Sequence, residues 1–365
     1  MMQTSVACMT SMPQTEPIKD GRADVPLRVL FSIVMSIIFA LLVLFRSPTF
    51  DNDYLNYEAV YQGYLESDFE VGFQLLMDIG AIAGVPLTAL LSLIALPGLL
   101  VKFLLAGRSD GVALSVFAVL FASSFFLLHE LNQSRFAFAV SFVLIAASIR
   151  QERPILAVFT LLLGSFFHYS VLLLLPAVIG TFATVAFFAC VGGFQYLVQS
   201  TGTTADFILS LLPAFLSESD RVRGYTVETV ALRSTGIVVT MSIVFLAFQL
   251  LVAWIFERIY LAPKDYDSLL IVSRRASITA IPVFIAFISS PVLANRLAEG
   301  HRFFLLFYLS IVIAKVIRGK SGDAILAVLF LMIVIVGNLY IYGASILPLY
   351  RVLEQIGLGR DVNII

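Results

Sequence analysis

"LRVLFSIVMSIIFALLVLF", Leu27–Phe45, decides the fold class. It is an apolar run of about 19 residues whose one charge, Arg28, lies near its start, and roughly 20 such residues cross a bilayer as a helix. A polar N-terminal tail of mixed charge precedes it. The run is long for the apolar part of a signal peptide and no small-residue cleavage site is evident, so it reads as a retained first span. Working outward, the pattern repeats. Of the 365 residues 60% are hydrophobic and 13% charged, and mean hydropathy is +0.98. A soluble chain carries roughly 25% charged residues. This one has too little polar surface to cover a water-facing globule. In hydrocarbon only helices and closed barrels satisfy the backbone, and these runs lack the two-residue alternation of barrel strands. The expected fold is an all-α polytopic membrane protein.

Apolar stretches fall at about 27–45, 86–106, 111–128, 134–149, 154–167, 169–180, 181–198, 235–258, 276–292, 302–317 and 322–342, about 11 transmembrane helices. With the N-terminus in the cytoplasm, Lys19, Arg22, Arg28, Lys102, Arg108, Arg150, Arg153, Arg258, Lys264, Arg274, Arg275, Lys315, Arg318 and Lys320 fall inside, as the positive-inside rule favours. Residues 71–85, "VGFQLLMDIGAIAGV", then lie as an amphipathic helix on the outer surface, capped by Gly84 and broken at Pro86. The chain divides into a cytoplasmic tail (1–26), one membrane domain (27–345) with exterior segments at about 46–85 and 199–234, and an exterior tail (346–365). Cys8 and Cys190 are far apart in unlike surroundings, so no disulfide is expected. The net charge of −1 gives no reason to expect a nucleic-acid partner.

The outer side carries Arg46, Arg135, Arg221, Arg223, Arg233, Arg296, Arg302, Arg351 and Arg360, and no lysine. Guanidinium forks suit bidentate grip on phosphate or carboxylate. Arg135 heads a span in "HELNQSRFAFAVSF", and Arg296 and Arg302 flank another in "LANRLAEGHRFFLLF". Pairing with Glu130 or Glu299 is one reading; a cluster that receives a phosphorylated lipid carrier is the other. The three histidines, His129, His168 and His301, map to the same outer side. His168, between two apolar runs, is a functional candidate, against the alternative of a neutral ring bonded to a neighbouring backbone. No HExxH, no Cys/His cluster, no Walker loop and no serine elbow is present, which argues against a zinc hydrolase, an ATPase and a serine hydrolase.

Just past the first span, residues 51–78 hold Asp51, Asp53, Glu58, Glu66, Asp68, Glu70 and Asp78, with no lysine or arginine. Tyr54, Tyr57, Tyr61 and Tyr64 recur there every three or four residues, one face of a helix. They form either an interfacial aromatic belt or a face for sugar rings. Asp51-Asn52-Asp53 matches a three-residue pattern that carries a metal elsewhere; as so short a match it is weak, and no metal or other cofactor is expected.

"DNDYLNYEAVY", "EVGFQLLM", "LNQSRFAFAVSFVLIAAS" and "FFHYSVLLLLP", in this order between Asp51 and Pro176, resemble the EpsG-like, Wzy-type polysaccharide polymerases of O-antigen, capsule and exopolysaccharide. The family commonly has Arg-Gln where this chain has Asn-Gln-Ser-Arg, and Arg135 is taken as the counterpart. The resemblance implies a GT-C-like membrane glycosyltransferase in the bacterial inner membrane, with its site facing the periplasm. It implies polyprenyl-diphosphate-linked oligosaccharides as substrates, and a chain-length regulator and a flippase as candidate partners. It carries over to Asp53, Tyr57, Glu70, Arg135 and His168.

In the expected reaction a hydroxyl of one lipid-linked repeat attacks the anomeric carbon of a growing glycan and lipid diphosphate leaves. His168 is the first choice of base, Glu70 the second, with Asp53 beside them. Arg135, Arg223, Arg296, Arg302 and His301 would hold the diphosphate; losing one such contact should cost about 2–4 kcal/mol. Tyr54, Tyr57 and Tyr61 would hold sugars. A lipid-linked oligosaccharide flippase, a membrane O-acyltransferase and a structural scaffold are the alternatives.

Overall fold

The computed structural model describes residues 24–46, 52–67, 69–201, 235–286, 291–319 and 321–342. These residues are helical throughout, with no strand among them. In chain order they form α1 (Val25–Leu44), α2 (Asn52–Tyr61), α3 (Val71–Ile82), α4 (Leu87–Ala106), α5 (Gly111–Ser123), α6 (Ser134–Ile149), α7 (Pro154–Ser165), α8 (Leu175–Ile179) and α9 (Thr181–Thr201). Then come α10 (Thr235–Tyr260), α11 (Ser268–Ala286), α12 (Pro291–Ile317) and α13 (Ser321–Tyr342). A π-helical turn, Phe126–Glu130, joins α5 to α6, and a 3-10 turn, Tyr169–Leu174, leads into α8. Arg223 and residues 202–234, Asp51, Asp68, Cys8 and most of both tails lie outside the described residues.

Among the described residues each apolar stretch of the sequence coincides with helix, but helix is not the same as span. Six of the helices, α1, α4, α10, α11, α12 and α13, are long and apolar enough to cross a membrane, which makes the chain a multi-pass membrane protein. Others are shorter. The 12 residues of α7 reach about 18 Å, well under a hydrocarbon core of roughly 30 Å. It packs instead on α6 and on the 169–179 segment. Helix α3 ends as expected: Gly84 adopts φ +65°, open to glycine at no steric cost, and Pro86 precedes α4.

Helix α12 is the axis, with 89% of its apolar window buried, and α5, α10, α11 and α13 all lean on it. Phe39, Phe103, Phe117, Phe121, Phe303 and Phe307 interlock around it in mostly edge-on contacts. Small residues let backbones approach: Gly98 of α4 accepts from Ser141 Oγ of α6 at 3.3 Å, and Gly164 of α7 faces the Ala139 carbonyl. On the outside, Leu30, Ile33, Ile37 and Leu41 of α1 and Leu326, Leu329, Ile333 and Val336 of α13 stay exposed. That belt is too apolar for water and is suited to lipid.

The two ends of the bundle differ. At one end Arg274 donates to Glu257 at 2.5 Å, Lys315 to Asp265 at 2.7 Å, Arg28 to the Gly107 carbonyl at 2.7 Å, and Arg318 lies 3.4 Å from Asp110. Lys102 does not belong with these terminal charges, where the sequence reading put it. It is fully buried, bonded to Glu130 and to the Ala137 carbonyl at 2.7 Å. A lysine near the end of an apolar run reads as an interface charge, but here the π-turn brings a carboxylate to it.

Candidate functional site

At the opposite end, one short contact sets the geometry. The Gly72 N–H, in the first turn of α3, donates to the Phe166 carbonyl at 2.8 Å. A Cβ on Gly72 would stand 2.8 Å from that same oxygen, so the approach needs glycine. It clamps the start of α3 onto the end of α7, where the chain leaves the helix and His168 becomes extended (φ −164°, ψ 117°). Glu70, extended just before α3, therefore meets His168 and the first turn of α6.

Both oxygens of the buried Glu70 carboxylate are used. Arg135 Nη1 donates to Oε2 at 2.5 Å and His168 Nδ1 donates to Oε1 at 2.7 Å; the Tyr169 N–H reaches Oε1 at 3.4 Å. Burial alone would raise the Glu70 carboxyl, but the hydrogen bond and charge of His168, then the charge of Arg135, outweigh it and hold the group at about 2. An ionised carboxylate only accepts hydrogen bonds, so Nδ1 carries the proton and Nε2 of a neutral ring is the lone-pair nitrogen. The Arg135 guanidinium is itself walled by rings, 4.5 Å from Phe69 and 5.8 Å from Tyr57 and Phe73.

A second cluster adjoins the first. His129, on the π-turn, has Nδ1 3.2 Å from Gln133 Oε1 and 4.0 Å from Glu299 of α12. Arg296, three residues before Glu299, lies 4.0 Å from Asp53 of α2. Phe136 touches both histidines, 4.8 Å from His129 and 5.6 Å from His168, so one ring separates the clusters.

Of the residues singled out from the sequence, Glu70, Arg135 and His168 converge directly, and Asp53 and Arg296 meet beside them. Glu70 was ranked as a base; with both oxygens engaged and its charge held so firmly, its geometry is that of an anchor for His168 instead. His301 is turned away: its Nδ1 faces Thr279 Oγ1 at 2.6 Å and the Ala276 carbonyl at 3.1 Å, both on α11. It sits in the core and not with the arginines. Arg302 lines a separate recess beside α10 and α13. Tyr54 and Tyr57 are buried, Tyr54 beneath Arg46 at 4.8 Å and Tyr57 against Phe69 and Phe73 at 5.5 Å, so neither offers a free ring face. Tyr61 donates to the Val85 carbonyl at 2.5 Å; Tyr64 is the exposed one. The Lys102–Glu130 pair and the His129–Glu299 approach were not singled out. The signal for the first was a lysine inside an apolar stretch.

Among the described residues no group of three or more His, Cys, Asp or Glu side chains is placed to share a metal ion. No curated protein and no solved structure matches the chain. The sequence profile of the EpsG family matches residues 29–350, from the first span to beyond α13. With so much of its length matched, the chain belongs to the EpsG family.

Proposed function

We propose that the protein is a membrane polysaccharide polymerase that moves a growing glycan from its polyprenyl-diphosphate carrier onto a lipid-linked repeat unit, in a GT-C-like bundle at the outer face of the inner membrane. One observation carries the reading. Three chain segments far apart in sequence bring an ionised carboxylate, an imidazole and a guanidinium to one point at one end of the bundle.

In this reading His168 Nε2 takes the proton from the acceptor hydroxyl as its oxygen bonds the anomeric carbon. The bond from that carbon to the diphosphate oxygen breaks, and the electron pair leaves with the lipid diphosphate. Glu70, kept ionised, fixes the tautomer and stabilises the imidazolium that forms, as a carboxylate does for a catalytic histidine generally. Arg135 holds Glu70 in place. Negative charge building on the diphosphate is met by Arg296, with Arg223 a further candidate. Asp53 aims Arg296, and Tyr61 and Tyr64 are the tyrosines left at the surface for sugar.

The test is a gel ladder of surface polysaccharide from cells with and without the protein. The proposal predicts long chains in its presence and single repeats in its absence. Long chains in both would end it. Capped single repeats missing from the cell surface altogether would point to a flippase.

A further inference from the structure

Residues 154–179 enter the bundle and return without crossing it. Arg150, at the foot of α6, donates from Nε to the Val178 carbonyl at 2.7 Å and from Nη2 to the Ile179 carbonyl at 2.9 Å. Residue 179 therefore lies back beside the point where α7 began. Arg150 and Arg275 both lie within 4.0 Å of where a Cβ on Gly180 would stand, at the end that also carries the Arg274–Glu257 pair. The segment is a re-entrant hairpin with His168 near its tip. Membranes tolerate such backbone where protein packs around it, as α6 does here.

Lengths along the helices give the depth of that tip. From Arg153 to Phe166 the chain rises about 20 Å, and the 3-10 turn and α8 together return about the same distance. From Arg150 to Arg135 along α6 is about 22 Å. A hydrocarbon core measures about 30 Å, which the 22 residues of α13 cover in full. Measured from the shared foot, Glu70, Arg135 and His168 meet about 8–10 Å short of the far boundary.

Helix α3 supplies the missing layer. Its first turn rests on the end of α7 through the Gly72–Phe166 contact, and its Gly80 presses on Leu90 in the first turn of α4, so it bridges two helix ends. A helix is about 10 Å thick, which makes up the difference. Its surface has three edges. Phe73, Met77 and Gly80 face the protein. Gln74 and Asp78, joined by a 2.6 Å hydrogen bond, form a polar edge. Val71, Leu75, Ile79 and Ile82, spaced four, four and three, form an exposed apolar edge. Helix α7 continues that edge toward its foot, with Phe166, Leu163, Phe159 and Ile155 exposed along one side.

We infer that α3 is embedded in the outer leaflet, its Val71, Leu75, Ile79 and Ile82 edge against lipid tails, and that the Glu70–Arg135–His168 site lies beneath it, inside the membrane and not at the water surface. The partner of this face is the bilayer, because the edge is continuous with the lipid-facing side of α7 and the two together match one hydrocarbon thickness. A lipid-borne substrate then meets His168 from the side, a consequence that rests on the polymerase reading; the embedding does not.

Spin-label depth measurement tests it. The full-length protein, with Cys8 and Cys190 changed to serine, is placed in vesicles of phosphatidylcholine and phosphatidylglycerol. It takes one nitroxide at a time at Leu75→Cys, Ile79→Cys, Asp78→Cys, Phe166→Cys or Tyr340→Cys. All five positions are exposed, so the label displaces no packed side chain. Relaxation by oxygen and by a water-soluble nickel chelate gives each depth. Oxygen should dominate at Leu75 and Ile79, and nickel at Asp78. Phe166 should lie about 8–10 Å deeper than Tyr340, near the outer end of α13. Nickel dominating at Leu75 and Ile79 would put the edge in water, as for a face that docks a soluble protein, and overturns the embedding. Equal depths for Phe166 and Tyr340 would mean that the leaflet thins to meet a short α7, and overturn the sunken site. The measurement needs no turnover, so failure of the polymerase reading and failure of this one are read separately.

Discussion

Glu70 takes a guanidinium on one oxygen and an imidazole on the other, which makes its charge part of the fold as well as of the chemistry. Its carboxyl is held at about 2, against an ordinary value of 4.5. A depressed carboxylate stabilises the folded state fully above its unfolded value and loses that contribution as pH falls through the folded one. The window is therefore about pH 4.5 down to about 2, and the contribution is on the order of 3 kcal/mol. Thermal unfolding in detergent across that window should show wild type losing stability more steeply than Glu70→Gln; parallel curves would mean that the charge is not held this way. The buried Lys102–Glu130 pair behaves differently. Lys102→Met or Glu130→Gln alone strands a charge and should cost about 3–5 kcal/mol, whereas Lys102→Met with Glu130→Leu should recover much of it. A double-mutant cycle by chemical denaturation measures this, and additive losses would refute the pairing. At this scale the sequence was half legible. Arg135 and His168 stood out because such residues are rare at the ends of apolar runs. Glu70 was named too, but as a base and not as their partner, because it is one of seven acids between Asp51 and Asp78 and its pairing is set by contacts 65 and 98 residues away.

Helices were the most legible feature, since hydropathy marks every stretch that the lipid or the core must accept. What hydropathy does not carry is length against thickness. Residues 154–180 read as two spans, yet they fold as α7, a 3-10 turn and a single turn of α8, packed on α6. Nor does a three-four spacing say what covers the face it makes. The tyrosines of α2 follow it, but Arg46, just past the end of α1, and Arg135 of α6 come down on that face, and Tyr54 and Tyr57 are buried. The join that matters most is α3 to α7. Gly72→Val would place a side chain against the Phe166 carbonyl and part Glu70 from His168. It should abolish long glycan as fully as Glu70→Ala while the protein still inserts, and Gly192→Ala, which meets only open space, should change nothing. Normal chains from folded Gly72→Val would show that the clamp is dispensable.

Over the whole molecule, the two ends carry different chemistry. Lys315–Asp265, Arg274–Glu257 and Arg318–Asp110 sit at one end, and Glu70, Arg135 and His168 at the other. The orientation read from the basic residues puts the first end in the cytoplasm. In a background with Cys8 and Cys190 changed to serine, Tyr64→Cys should react with an impermeant maleimide on intact cells. Lys264→Cys, exposed at the other end, should react only after permeabilisation. Labelling of both from one side would reverse or break the topology. The central claim is chemical: His168, aimed by Glu70, accepts the proton as the glycan is transferred. It is tested most directly with purified protein in proteoliposomes supplied with lipid-linked repeat units, following chain length and released polyprenyl diphosphate. His168→Ala should fall by about 10²–10⁴-fold in chain growth with membrane insertion unchanged. Growth at the wild-type rate by that variant would contradict the account.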